Sequence, residues 1–210
     1  MELHDDVKIM NIFFDLDGTL IDSKPRLYQL FQHLVSKSTY SFDEYWEIKK
    51  KKISHKKILI DFLDYTDQDF ISFERYWMDS IEQDNWLSLD KPFDGVTSYL
   101  LNLKNKHRLF IVTARQLEQK VLKQIESFGW SNIFSEVFVT GQKVEKFDLI
   151  NNSIKLSVDD WFIGDTGKDI QVGKLLGIRT AAVLSGFLGE PTLLEYKPDL
   201  VIQNVTDLII

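Results

Sequence analysis

The chain has 210 residues, a formal net charge of −7, 44% hydrophobic and 27% charged residues, and no cysteine. That length supports one compact domain carrying a substantial insertion, and the lack of thiols excludes disulfides, cysteine metal sites and cysteine nucleophiles. The acidic balance argues against nucleic-acid partners, which need a basic face.

The first residues, MELHDDVK, lack the basic-then-apolar pattern of a signal peptide, and no apolar run approaches ~18 residues. The expectation is a soluble, cytoplasmic protein with no membrane partner. The run Ile9–Phe14 (IMNIFF) reads as a buried strand that breaks into the tight loop Asp15-Leu16-Asp17-Gly18. From Ile21 to Asp90 no convincing strand follows. Leu27, Leu30, Phe31, Leu34 and Val35 share one helical stripe, with Ser23 as N-cap and Pro25 in the first turn. Ile58, Leu59, Phe62 and Leu63 fit a second stripe behind Ser54. Phe70, Phe73, Trp77 and Ile81 fit a third behind Thr66, with Asp69 three residues on. Tyr45, Trp46, Trp77 and Trp86 are expected in the core of this helical segment, one or two of them lining a pocket.

Beyond Asp90-Lys91-Pro92-Phe93, short apolar runs recur at Leu109–Val112, Val137–Val139, Trp161–Ile163, Ala181–Leu184 and Leu200–Ile202. Helical patterns separate most of them. One carries Leu117, Val121, Ile125 and Phe128 on a single face and stops at Gly129. This alternation predicts an α/β fold: a Rossmann-like parallel sheet with helices on both faces, and an all-helical insertion after the first strand. The predicted division is a core of residues 1–20 and 91–210 and a helical cap of 21–90. The linkers fall near Leu20–Ser23 and Leu89–Asp94, and the cap lies where open α/β sheets bind ligands.

Asp15 and Asp17 follow the first strand; Asp165 follows another, in Ile163-Gly164-Asp165-Thr166, and Asp169 lies four residues on. If the two strands are neighbours, three or four carboxyl groups converge at one end of the sheet. Such a cluster repels itself unless a cation joins it, and oxygen ligands without His or Cys point to Mg²⁺. A carboxylate nucleophile beside Mg²⁺ suits phosphoryl transfer. The blander reading makes these aspartates helix caps. A calcium loop is excluded, because counting from Asp15 puts Leu20 where Gly is needed and Arg26 where Glu is needed. His4, His33, His55 and His107 are scattered and read as surface or cap residues. Lysines dominate residues 49–57, which hold no acid; the run reads as a solvated helix face or as a patch that steers an anionic substrate.

These residues resemble the haloacid dehalogenase superfamily, and within it the phosphoglycolate-phosphatase-like branch with an alpha-helical cap. The resemblance runs over roughly residues 9–190. It rests on Asp15-Leu16-Asp17-Gly18-Thr19-Leu20, on Ile111-Val112-Thr113-Ala114-Arg115, and on Gly164-Asp165-Thr166-Gly167-Lys168-Asp169 with Gly173-Lys174 after it. It implies a Mg²⁺-dependent phosphatase acting on a small phosphorylated metabolite. Asp15 would be the nucleophile. Asp17 would bind Mg²⁺ through its carbonyl and serve as acid and base through its side chain. Asp165 would be a ligand, and Asp169 a ligand or an anchor for metal-bound water. Thr113 would hold a phosphate oxygen, with Gly18, Ala114 and Arg115 beside the substrate. Arg115 could equally pair with an acidic neighbour. The family's fixed lysine departs here from the common Lys-Pro pattern; Lys146 is the favoured candidate and Lys143 the alternative. A phosphomutase on the same scaffold and a non-catalytic phosphate-binding protein are the competing readings. A dehalogenase would leave Asp17 and Asp165 unexplained. The sequence carries no sign of oligomeric state.

Overall fold

The computed structural model describes residues 8–210. The reading of the N-terminal segment, His4 included, falls outside that range.

The chain enters through β1 (Asn11–Phe14), whose four residues are all buried, and turns into the short β2 (Ile21–Asp22). Helices follow: α1 (Lys24–Leu34), α2 (Phe42–Lys50), α3 (His55–Lys57) continuing as a π-helical turn over Ile58–Phe62, α4 (Asp67–Ser80) and α5 (Asp84–Leu87). The short β3 (Lys91–Pro92) leads back to α6 (Val96–Lys104) and β4 (Arg108–Thr113). Then come α7 (Glu118–Ser127), β5 (Glu136–Val139), α8 (Lys146–Ser153), β6 (Trp161–Gly164), α9 (Gly167–Leu175), β7 (Arg179–Val183), α10 (Glu190–Leu194) and β8 (Leu200–Ile202).

Six strands form one parallel sheet in the order β5-β4-β1-β6-β7-β8. β1 is central because the chain first builds outward through β4 and β5, then returns to its other side for β6. That reversal opens a crevice at the carboxyl ends of β1, β4 and β6. The period of two along each strand divides the core cleanly. Ile12, Phe14, Leu109, Ile111, Trp161 and Ile163 face α6 and α7. Phe13, Phe110, Val112 and Phe162 face α8 and α9, and Phe13 stacks on Phe110 with ring centres 4.9 Å apart. Each fully buried ring of this kind contributes roughly 1.5–3 kcal/mol.

The helices of 24–87 bury a separate cluster, with Phe31, Tyr45, Trp46, Ile58, Leu59 and Phe73 at its centre. Local signals start them well. Ser41 accepts from Glu44 N while Glu44 returns the bond to Ser41 N, and Thr66 and Asp69 repeat this arrangement at α4.

The structure corrects several expectations. A short strand stands where none was expected after Ile21, and it ties the linkers together: Ile21 pairs with Pro92 and Asp22 with Lys91, antiparallel. Two-residue strands are too short to show a period. The 58–63 stripe is π-helical through Phe62; Ile58 and Leu59 enter the core but Phe62 stays exposed. Leu117 caps α7 and is exposed rather than packed with Val121 and Ile125. His107 is buried and takes a bond from Met10 N at 3.4 Å. His55 lies among the rings of Phe31, Tyr45, Phe73 and Trp77, not on the surface.

Candidate active site

Asp15 is the first residue after β1, and its N–H still bonds to Ile163 O at 2.9 Å, so the sheet pins it beside β6. Leu16 O then accepts from both Leu20 N and Ile21 N, closing a turn that needs Gly18 at φ 84°. Asp165 lies one residue past β6, fully buried. Thr166 caps α9, and Asp169 Oδ2 turns back to accept from Thr166 N and Oγ1 at 3.1 and 2.6 Å. Three carboxylates thereby meet: ligand oxygens of Asp15, Asp165 and Asp169 all lie within 4.8 Å of one another.

Glycines make this approach possible. A Cβ on Gly18 or Gly186 would run into the Asp165 side chain, and one on Gly164 would overlap Asp169. Asp165 Oδ2 accepts from Phe187 N at 2.8 Å, while Oδ1 is buried with no partner among the described residues.

Lys146 opens α8 and reaches into the cluster, donating to Asp15 Oδ1 at 2.6 Å and Asp169 Oδ1 at 2.7 Å. Lys143 lines the pocket but is exposed and makes no ion pair among the described residues. Three carboxylates against one ammonium leave two negative charges unbalanced. The electrostatics carry that imbalance. Burial pushes Asp15 up to about 7 against the pull of Lys146, and burial with the Asp15 and Asp169 charges pushes Asp165 well above the usual carboxylate range. The Lys146 ammonium is held charged despite its burial by Asp15 and Asp169. An orphaned buried oxygen within an under-neutralised set of hard oxygen donors fits a divalent cation such as Mg²⁺.

The Asp17 carboxylate lies outside this cluster, so of the three or four carboxyl groups expected at the strand ends three converge. Burial works against its charge, but Arg115 and Arg26 more than offset that and hold it below the ordinary carboxylate range. Arg115 binds it through two nitrogens, at 2.7 and 2.8 Å, and Arg26 Nη2 pairs with Oδ1. Both arginines also bond Asp90, at 2.9 and 3.0 Å. So Arg115 has taken the acidic partner that the sequence left open, and its Nη1 is buried without a partner among the described residues.

Thr113 ends β4, buried, and with Ala114 and Arg115 lines a pocket of about 650 Å³ that also holds Asp15, Lys146 and Asp165. The opposite wall comes from the helical segment: Leu27, Trp77, Met78, Ile81 and Glu82. Gly18 lies against Asp165 rather than in the pocket wall; its carbonyl accepts from Ser185 Oγ. Of the basic run, Lys50, Lys56 and Lys57 pair with Glu47, Asp67 and Asp61.

Sequence reasoning missed Arg26, Asp90, Glu82 and Phe187. Arg26 had a signal, since it sits four residues before Leu30 and so on the buried stripe of α1. Glu82 accepts from Gln116 N and Leu117 N across 34 and 35 residues, which no local pattern announces.

The profile of the haloacid dehalogenase-like hydrolases matches residues 12–183. Pyrophosphatase PpaX of Halalkalibacterium halodurans is 24% identical, aligned over 97% of this chain and 96% of its own. Phosphoglycolate phosphatase of Mesorhizobium japonicum is also 24% identical, over 92% of this chain and 90% of its own. A haloacid dehalogenase-like family hydrolase from Streptococcus pneumoniae shares the fold, with a TM-score of 0.68 at 20% identity over 93% of this chain and 94% of its own. Since that profile spans most of its length, the chain belongs to the haloacid dehalogenase-like hydrolase family.

Proposed function

We propose that the protein is a Mg²⁺-dependent phosphatase that hydrolyses a small phosphate monoester through an aspartyl-phosphate on Asp15. The observation that carries this reading is the buried, under-neutralised cluster of Asp15, Asp165 and Asp169 with Lys146 bonded into it. Asp15 attacks phosphorus, the alcohol leaves with a proton, and water then attacks the same phosphorus to free Asp15. Lys146 holds the nucleophile and offers positive charge to the phosphoryl oxygens, while the Thr113 hydroxyl donates to one of them. Asp15, Asp165 and the Asp17 carbonyl would hold Mg²⁺, with Asp169 as ligand or anchor; bound there, it neutralises the phosphate that the carboxylate must approach.

Asp17 is the acid and base in this reading. Its carboxylate must first leave Arg115 and Arg26, because in their grip it is ionised and has no proton to give. We read residues 21–90 as a cap over a core of 1–20 and 91–210, with the pocket between them as the substrate site. Pyrophosphate and phosphoglycolate, named in the relatives, are the first substrates to assay beside an aryl phosphate.

The test is hydrolysis of these three with and without Mg²⁺. Asp15→Asn should cost roughly 10³-fold or more, and mass spectrometry of a quenched reaction should find phosphate on Asp15. Full activity after exhaustive chelation, or phosphate on another residue, would overturn the mechanism.

A further inference from the structure

A second cavity, of about 290 Å³, opens beside the active-site pocket and shares Leu27, Trp77 and Phe187 with it. Phe187 is the physical link. Its N–H bonds to Asp165, and its ring stacks on Trp46 with centres 5.4 Å apart and planes at 16°. The walls are largely rings: Tyr45, Trp46, His55, Trp77 and Phe187.

Trp46, Lys49 and Lys52 bring donor-only groups to this cavity, while Tyr45 Oη and His55 Nε2 bond each other at 2.8 Å and Ser54 Oγ accepts from Lys57 N. Trp46 Nε1–H is buried with no partner among the described residues, in a residue only 4% exposed. Lys49 Nζ has one bond, to Ile53 O at 3.0 Å, and no carboxylate partner among the described residues. Burial pushes its ammonium down to about 8, so at neutral pH it is a charged group lacking a counter-ion. Lys24 Nζ approaches the Trp46 ring at 5.8 Å, and Lys52 lines the rim. No Asp or Glu is among the lining residues. An unpaired indole donor and a half-buried ammonium in an aromatic chamber suit a ligand with an apolar body and an acceptor-rich, negative end. A volume near 290 Å³ also exceeds what a two-carbon acid requires, since a water takes about 30 Å³ in the liquid.

We propose that this cavity is a second subsite for the leaving-group half of the substrate, and that the substrate is a phosphate ester whose alcohol carries an apolar body ending in an anion, held by Lys49 and Trp46. The substrate half of this proposal rests on the phosphatase reading. The ring walls take the body, Lys49 and the Trp46 N–H take the anion, and the phosphate sits at Asp15. A terminal carboxylate and a terminal phosphate share the required chemistry.

The test is calorimetric binding, with Mg²⁺ present, to the Asp15→Asn protein. The probes are phenyl phosphates bearing a para carboxylate, a para phosphate or a neutral para carboxamide. At least one charged ester should bind about tenfold or more tighter than the carboxamide, as a charge-assisted contact implies; which one does so identifies the anion. Adding Lys49→Met should erase this ratio, adding Lys49→Arg should keep most of it, and adding Trp46→Phe should reduce it. Equal binding of all three esters, a ratio that survives Lys49→Met, or a ratio lost equally in Lys49→Arg would overturn the subsite. Turnover of unsubstituted phenyl phosphate by the unmutated protein is measured alongside. Its absence would overturn the phosphatase reading alone, because the binding ratio does not depend on turnover.

Discussion

Lys146 and Lys143 lie three residues apart, yet only Lys146 is drawn into the carboxylate cluster, because it begins α8 with its side chain over the strand ends. Lys146→Ala should therefore cut kcat by roughly 10²–10³-fold, the scale of losing a preorganised charge contact. Lys143→Ala should change it severalfold at most. Steady-state kinetics on an aryl phosphate decides the ranking, and the reverse order would move the phosphate-side cation to the loop before α8. Gly186 offers a subtler case. A methyl there overlaps Asp165, which is fully buried and cannot swing aside. Gly186→Ala should raise the Mg²⁺ concentration needed for half-maximal activity by roughly tenfold or more, on the scale of disturbing the support of a metal ligand. An unchanged Mg²⁺ dependence would show that Asp165 does not depend on that contact.

At the scale of elements, the two short linker strands are locked by charge as well as by pairing. Asp90 immediately precedes β3, Arg26 lies in the first turn of α1, and Arg115 follows β4; with Asp17 they make a neutral, buried square. Gln124 of α7 adds a bond to Asp90 at 3.0 Å. Asp90→Ala would strand two arginines against one aspartate, at a cost of roughly 3–5 kcal/mol. Urea denaturation measures this, and a loss below about 1 kcal/mol would mean that water replaces the carboxylate readily.

The helical cluster has its own titrating member. Burial among aromatic rings, with Lys49 nearby, keeps His55 neutral and its pKa well below 6.5. A depressed folded-state pKa means that the unfolded chain binds the proton first. Stability is then full above about pH 6.5 and falls below it, by at most roughly 1.4 kcal/mol per pH unit, until the folded form titrates too. Urea midpoints between pH 7 and 5 should show this slope in the parent protein and a shallower one in His55→Gln. Equal slopes would remove His55 from the acid sensitivity.

For the whole molecule, the arrangement is two hydrophobic bodies joined mainly by polar contacts. The sheet core is continuous on both faces, whereas the 24–87 helices close over a cluster of their own. Besides the linkers, the bodies meet through the Trp46–Phe187 stack, Gly189 N and Thr192 Oγ1 to Lys50 O, Glu82 on the Gln116–Leu117 backbone, Gln116 Nε2 to Met78 O, Gln124 Nε2 to Leu87 O, Lys52 to Tyr196, and Lys120 and Lys123 with Asp84. Amide hydrogen exchange should find β1, β4 and β6 protected to the global limit, with α2 and α4 opening at lower free energy. A phosphate analogue with Mg²⁺ should slow exchange in α4, which supplies Trp77 and Met78 to the pocket. One uniform opening energy would argue that the two bodies unfold as a single unit.

The sequence by itself determined the parallel sheet, its helical faces, the insertion after the first strand and the positions of Asp15, Thr113 and Asp165 at strand ends. Each is written in local order: a buried strand is a short apolar run, an amphipathic helix is a period, a cap is a Ser or Thr three residues before an acid. It also placed Lys146 at a helix start and favoured it over Lys143 on that ground, while leaving Lys143 open. Tertiary structure alone decided the contacts of Lys146 with Asp15 and Asp169, the pairing of the linkers, the turn of Asp17 away from the other acids toward Arg26 and Arg115, and the chamber joining Trp46 to Phe187 across 141 positions of chain. The reason is physical. Which carboxylate pairs with which cation depends on burial and on distances of 3 Å set between remote segments, and neither leaves a period in the chain.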